Sequence, residues 1–460
     1  MKKLIKPLLV FTFLGIFSAC SDDEPPLPDN LAAFESTAQG FEGDQVEVKI
    51  TLSRAAESAV PITVSLTPTL LTYGTQFTTE PAAANNSIAL TVPAGATGVS
   101  FKVIKKTGVL LNGDESIQFK LASVTAPVLV GTNTDLKLSF KAIISDGTSI
   151  QLNGIAGAEA GSSAGNSVFL DLSANAQTPV LRDSWDLGFN SGTDFRVVLN
   201  NTNGASAVMI NKSDITTVTD KDIDITTLAL GQGAGTFALY DGVTGDLTKT
   251  VIKEISATDA DNKVYVINRR GGSATVLPVD QIYKVRVLRK GTGYTLQYAK
   301  LNDTAFKTLD ITKDAAYNFQ FASLEKGATV SAEPVKARWD IVWGYSMYFT
   351  GTTPYAFSDL VFLNQYAGVT AAEILTTTAT YEAFAESNLA AVTFSADRDV
   401  IGSKWRVTSG GTVGVKNDRF YVIKDTAGNI YKLRFINFHA SDGGERGKPK
   451  LEYKLVKKGA

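Results

Sequence analysis

A chain of 460 residues is too long for one core and implies about three domains. A hydrophobic share of 44% with a charged share of 20% excludes an intrinsically disordered chain, and 44 basic against 46 acidic residues leave no footprint for nucleic acid. Thr, Val, Ser, Gly and aromatic residues recur in short alternating runs, so the expected class is all-β.

The first element is a leader over residues 1–19. Lys2, Lys3 and Lys6 precede an apolar run, Pro7 to Ala19, too short to span a bilayer. It ends FSAC, with Cys20 after two small residues, and resembles a bacterial lipoprotein signal whose cysteine is lipidated and opens the mature chain. Cleavage there removes three lysines and the leader, makes the chain more acidic, and leaves no cysteine for a disulfide. A lipid anchor in the outer membrane then holds a tether over residues 20–30. Its acidic SDDE resembles the surface-export signal of some Gram-negative lipoproteins and reads equally as a solvated linker. PPLPDN makes the tether stiff.

Residues 31–146 read as a β-sandwich. QVEVKITLS, PITVSLT, NSIALTV, GVSFKVI and SIQFKLASV alternate and are spaced by turn residues. EGDQVEVKITLSR and the later GVSFKVIKKTGVLLNGDESIQFKLASV resemble a Calx-β-type immunoglobulin-like module. That resemblance places Glu42, Asp44, Asp114 and Glu115 where the family gathers acids around calcium. The usual Asp-Tyr is replaced by GTQF at Gly74 to Phe77, leaving the set an oxygen short for an ion that takes six to eight. The alternative is a group of acidic turn residues.

The remainder reads as one unit written twice, over 147–302 and 303–460. The first copy runs NSVFLDLS, SWDLGFN, FRVVLNNTNG, a long middle, KVYVINRRGG, IYKVRVL and GYTLQYA. The second runs AYNFQFASL, RWDIVWGYSMYF, FSDLVFLN, a long middle, RFYVIKDTAGN, IYKLRFINF and KLEYKLV. Trp185 and Trp339 are about 154 residues apart, Tyr283 and Tyr431 about 148, and Tyr298 and Tyr453 about 155. In RWDIVWGYSMYF the positions Trp339, Ile341, Trp343, Tyr345, Met347 and Phe349 share one parity and are expected on one inward face. Asp186 and Asp340 fall on the other parity, where a carboxylate accepts from backbone N–H groups. Ala427-Gly428-Asn429 is a hairpin turn, with Phe420, Val422, Tyr431, Leu433 and Phe435 expected to form one apolar face.

The aromatic strand, the Trp-Asp strand, FYVIKDTAGNIYKLRF and the closing KLEYKLV resemble the HmuY family, so the expectation is two tandem HmuY-like β domains. The resemblance implies a cell-surface lipoprotein that captures haem, or a similar planar hydrophobic ligand, and passes it to a TonB-dependent outer-membrane receptor. Trp185, Asp186, Trp339 and Asp340 then mark the fold rather than the ligand.

Haem iron takes axial His, Met, Cys or Tyr. Ligands of the family come from the long middle, which in the second copy, about residues 362–416, holds no His and no Met. Tyr366 and Tyr381 are the tyrosines within it; Met209 lies near the start of the first copy's middle, and the sole histidine, His439, follows the hairpin. Each of the four also reads as packing or loop. The alternative function is a non-haem adhesion protein that engages glycan or a protein partner on the same scaffold. No enzyme is expected. Gly161-Ser162-Ser163-Ala164-Gly165 matches the nucleophile elbow in letters but sits in a small-residue loop, and DADN at Asp259 to Asn262 lacks the rest of a calcium loop.

Overall fold

The computed structural model describes residues 28–41, 45–106, 115–140 and 147–459; Cys20, Glu42, Asp44 and Asp114 lie outside them. The chain is all-β, with short 3₁₀ turns between the strands. The alternating runs of the N-terminal part form two five-stranded sheets. Gln45–Leu52 and Gly98–Lys105 lie in one, Val60–Thr69, Ser87–Val92 and Ser116–Val124 in the other. Every second residue points inward: Val48, Ile50 and Leu52 are buried from one sheet, Ile62, Val64 and Leu66 from the other. Phe101 and Phe119 meet edge to face across them, 5.0 Å between centroids.

Apart from the short pair Arg406–Val407 and Gly414–Val415 in the second copy, the remaining strands match one for one between the two copies, but the copies share their sheets. Asn166–Asp171 opens the first copy and pairs with Ile341–Thr350 of the second. Reciprocally, Phe319–Ser323 opens the second copy and pairs with Leu187–Asn190 of the first. The flanking strands do likewise: Gly147–Gln151 adds to Lys450–Lys457, and Lys307–Ile311 adds to Gly293–Lys300. The boundary at 302/303 that the spacing predicts therefore divides a repeat in sequence without dividing the sheets. Each copy has lent its opening strands to the other.

Two four-stranded and two five-stranded sheets result. Ile341, Trp343 and Val168 of one four-stranded sheet pack on Tyr421, Tyr431 and Leu433 of a five-stranded sheet. Leu187, Phe189 and Ala322 of the other pack on Tyr265, Val285 and Leu296 of the second five-stranded sheet. The two four-stranded sheets turn their remaining faces toward each other, so the layers run five, four, four, five. Alternate residues of each inner strand thus meet different cores, which explains why Asn166–Asp171 is buried along its whole length.

Two sequence expectations fail for this reason. A register shift between Gly344 and Ser346 inserts a bulge into the Trp-Asp strand. Ile341 and Trp343 reach one core, Met347 packs with Leu230 and Tyr240 in another, and Phe349 is 37% exposed, so the six residues do not share a face. In the later hairpin Tyr421 pairs with Leu433 and Ile423 with Tyr431. Tyr421 and Ile423 take the face expected for Phe420 and Val422, which pack behind with Tyr381 and Phe384. The turn itself forms as read, with Gly428 at φ +83°.

Candidate functional site

The Trp-Asp pairs do the same work twice. Asp186 Oδ2 accepts from Leu324 N at 2.7 Å, and Asp340 Oδ2 accepts from Leu172 N at 2.8 Å. The backbone N–H of each aspartate donates to the lent strand as well, Asp186 to Ala322 O and Asp340 to Leu170 O. The preceding tryptophans pack edge to face on phenylalanines of the other copy, Trp185 on Phe321 at 4.8 Å and Trp339 on Phe169 at 5.0 Å. Asn200 and Asn364 close the motif: each donates to the carbonyl of its copy's tryptophan, 2.8 Å in both cases. These four signature residues are thus fasteners of the exchange.

The repeat holds one more pair that parity hides. Lys284 and Lys432, the lysines of IYKVRV and IYKLRF, are 0% and 6% exposed. Lys284 Nζ donates to Val218 O and Asp303 O, and Lys432 Nζ to Tyr381 O, Glu382 O and Phe384 O. Each ammonium pins the irregular middle of its own copy to the sheet below. A lysine at the same place in both copies was the signal available for this.

The four haem-ligand candidates are not brought together. Met209 stands on Ser206–Ile210 with 39% of its surface exposed, against the core reading of that residue. Tyr381 is buried with Phe384 and Phe420 and carries Arg434 over its ring at 4.3 Å; burial raises its pKa. His439 caps the turn Ala440–Asp442, its Nδ1 2.6 Å from Ser441 Oγ. Tyr366 lines a cavity between the inner sheets, its hydroxyl donating to Gly245 O at 2.6 Å, and Met209 lines a separate, smaller one. Among the described residues no three His, Cys, Asp or Glu gather into a metal-binding group. Of the four acids considered for calcium, Glu115 is described and is buried just before the strand Ser116–Val124.

The cavity lies between the facing four-stranded sheets. Trp185, Trp339, Phe169, Phe319 and Phe321 supply most of its apolar wall, and its volume is about 120 Å³. Four charged residues line it: Asp241, Asp246, Glu333 and Arg398. Burial pushes Asp241 and Glu333 up to about 7, against backbone N–H donors that pull them down. Arg398 stacks over Phe362 at 4.3 Å, and burial depresses its pKa. No motif or period links these positions, so the sequence offers no signal for them.

A second feature is built around an element that is longer in one copy than in the other. The hairpin Ile341–Thr350 with Thr353–Leu363 is far longer than its counterpart, Leu187–Asn190 with Val197–Leu199. Its outer end carries Tyr348 stacked on Phe349 at 4.5 Å, and Phe349 meets Phe237 edge to face at 6.5 Å. Phe237 is 50% exposed. Tyr348 is held from both sides, its hydroxyl on Asp399 Oδ2 at 2.7 Å and its carbonyl accepting from Tyr240 at 2.9 Å. A fixed aromatic face is therefore presented to solvent.

The loop Gly161 to Gly165 contains the turn Gly161–Ser163 and no strand-to-helix elbow. Among the described residues no helix is long and apolar enough to cross a membrane. No curated protein matches the chain. Among solved structures, the apo form of the Calx CBD1 domain is similar over 25% of this chain and 97% of that one, at 13% identity and a TM-score of 0.22. CBD12 from CALX1.2 is similar over 54% and 84%, at 12% identity and 0.21. A two-domain protein of unknown function from Bacteroides fragilis is similar over 40% and 76%, at 9% identity and 0.20. No inference rests on likenesses at these TM-scores. A model of the family described as HmuY protein matches residues 163–453, running through both copies of the repeat and well over half of the chain, and the chain therefore belongs to the HmuY family.

Proposed function

We propose that this chain is a cell-surface lipoprotein that captures haem, or a similar planar hydrophobic ligand, on the aromatic face at the end of its long hairpin. Family membership supports a haem-binding surface protein at the level of the family. The observation that carries the location is the exposed pair of Phe349, on the hairpin that is longer in the second copy, and Phe237, from the turn Phe237–Leu239 of the first copy, backed by the anchored Tyr348. Rings spaced 4.5–6.5 Å apart suit stacking against a flat aromatic ligand. Cys20 is the proposed lipid anchor, in the outer membrane, and a TonB-dependent receptor the proposed acceptor of the ligand.

Met209, His439, Tyr366 and Tyr381 stand apart, so the ligand is held here by stacking rather than by a pair of axial side chains. That has a direct test. Titration of the mature protein with haem and with metal-free protoporphyrin is expected to give saturable Soret shifts of similar affinity. Replacing both Phe237 and Phe349 by Ala is expected to weaken both at least tenfold. Absence of a Soret shift for haem in either redox state at micromolar concentration would remove the haem reading. The same exposed rings suit a sugar face, and retention of binding to a glycan by a protein blind to porphyrins would favour the adhesion reading.

A further inference from the structure

The cavity between the inner sheets takes no part in capture at the hairpin end, and its chemistry is of another kind. Its hydrogen-bonding capacity is spent unevenly. Glu333 Oε1 accepts from the backbone N–H of both Asn318 and Phe319 at 2.9 Å. Asp241 uses both oxygens, Oδ2 for Leu199 N and Oδ1 for Val251 N. Tyr366 has given its proton to Gly245 O. Both oxygens of Asp241, Oε1 of Glu333 and the proton of Tyr366 are thus spent on the protein itself, while the buried Oδ1 of Asn201 in the wall has no partner among the described residues. Arg398 makes no ion pair or hydrogen bond through its guanidinium among the described residues, and leaves up to five N–H donors in a planar fork. Such a fork matches a carboxylate in two parallel bonds.

The walls fix the rest of the ligand. They are indole and phenyl surfaces, and their ring edges favour an aromatic guest. The volume of about 120 Å³ is close to the ~150 Å³ of an apolar cavity that accepts benzene, which admits one six-membered ring and excludes a porphyrin. A cationic guest would meet the charge of Arg398, while the carboxylates of Asp241 and Asp246 already accept from Leu199, Val251 and Thr248.

We propose that this cavity is a second binding site, for a small aromatic monocarboxylate whose ring lies against the Trp185, Trp339 and Phe walls and whose carboxylate sits on the Arg398 fork. The site joins the two copies, because Trp185 belongs to one and Trp339 and Arg398 to the other, while Phe169 and Phe321 come from the strands they have exchanged.

The test is calorimetric titration of the mature full chain with phenylacetate and benzoate, with benzyl alcohol as the uncharged comparison. One-to-one saturable binding of at least one carboxylate is expected, at least tenfold tighter than benzyl alcohol. Arg398→Gln is expected to erase that tenfold preference while leaving benzyl alcohol unchanged, and Arg398→Lys to restore part of it. Should Arg398→Gln fail to fold by circular dichroism, Val342→Phe, which fills the cavity from its wall, is expected to abolish carboxylate binding. Haem titration of Arg398→Gln or Val342→Phe is expected to match the wild type, which separates this site from the platform. No saturable carboxylate binding, equal affinity for benzyl alcohol, or a preference that survives both Arg398→Gln and Val342→Phe would overturn the assignment.

Discussion

The two copies of the repeat agree wherever a strand has been exchanged and diverge wherever the surface is free. Trp185 and Trp339, Asp186 and Asp340, Asn200 and Asn364, and Lys284 and Lys432 play matching parts in both. All of them either fasten a lent strand or pin a middle segment. The hairpin after the Trp-Asp pair is short in the first copy and long in the second, and only the long one carries exposed rings. The matched pairs hold the exchanged strands by reciprocity, and the longer hairpin of the second copy carries the exposed Phe349.

The strongest way to break the comparison is at the fastener. Arg269 of the first copy bonds Asp186 at 2.6 Å, both buried, while Asp425 stands at the matching place in the second copy. Asp186→Ala removes the strand fastening and leaves Arg269 buried without its closest partner, so a loss of about 3–5 kcal/mol is expected. Asp340→Ala removes the same kind of bond to the lent strand, from Leu172 N, and the difference between the two midpoint shifts reports the Arg269 pair. Equal midpoint shifts for the two in urea would refute the inequivalence.

The buried lysines give a smaller effect that sharpens the same point. Lys432 serves three carbonyls and Lys284 two. Replacing either with Met releases buried carbonyls that cost about 1–3 kcal/mol each when unpaired, partly offset because a buried ammonium is no longer desolvated. Net losses on the order of 2–3 kcal/mol are expected, larger for Lys432→Met. Amide exchange should quicken around 381–384 in Lys432→Met and around Val218 in Lys284→Met. Protection unchanged in both segments would mean that the ammonium groups do not pin them.

Much of the architecture is legible in the residues, and the exceptions have physical causes. The sandwich strands were readable because one face is wet and one dry, so alternation survives. The Trp-Asp strand was readable as far as Trp343, where a bulge that no period announces turns the chain over. The exchange was hidden because SVFLD and FQFAS are two versions of the same strand: either would satisfy either partner, and hydrophobic pattern fixes register without fixing which copy is chosen. Cavity residues Asp241, Glu333 and Arg398 were out of reach for another reason. They lie in irregular segments where burial follows from tertiary packing alone. Phe349 was expected on the inward face from parity, and the bulge before it and the length of its hairpin put it in solvent instead.

Those cavity carboxyls set the last and smallest contrast, between a side chain that tolerates neutralisation and one that does not. Asp241 and Glu333 are both raised to about 7 from ordinary values near 4. Between those limits the folded chain holds protons that the unfolded chain has released. Their contribution to stability is therefore full below about pH 4 and is lost as pH rises through 7. Glu333 receives both of its backbone N–H donors on Oε1, so the amide oxygen of Glu333→Gln replaces it without a clash. Asp241 receives one donor on each oxygen, so Asp241→Asn must turn an amide NH₂ toward Leu199 N or Val251 N. Glu333→Gln is expected to gain on the order of 1–2 kcal/mol relative to wild type at pH 8 and nothing at pH 5, flattening the decline in melting temperature between them. Asp241→Asn is expected to lose stability at both, because a donor facing a donor costs more than the charge it removes. Parallel pH profiles for wild type and Glu333→Gln would show that this carboxyl stays ionised in the fold, and with it that the cavity is wetter than its walls suggest.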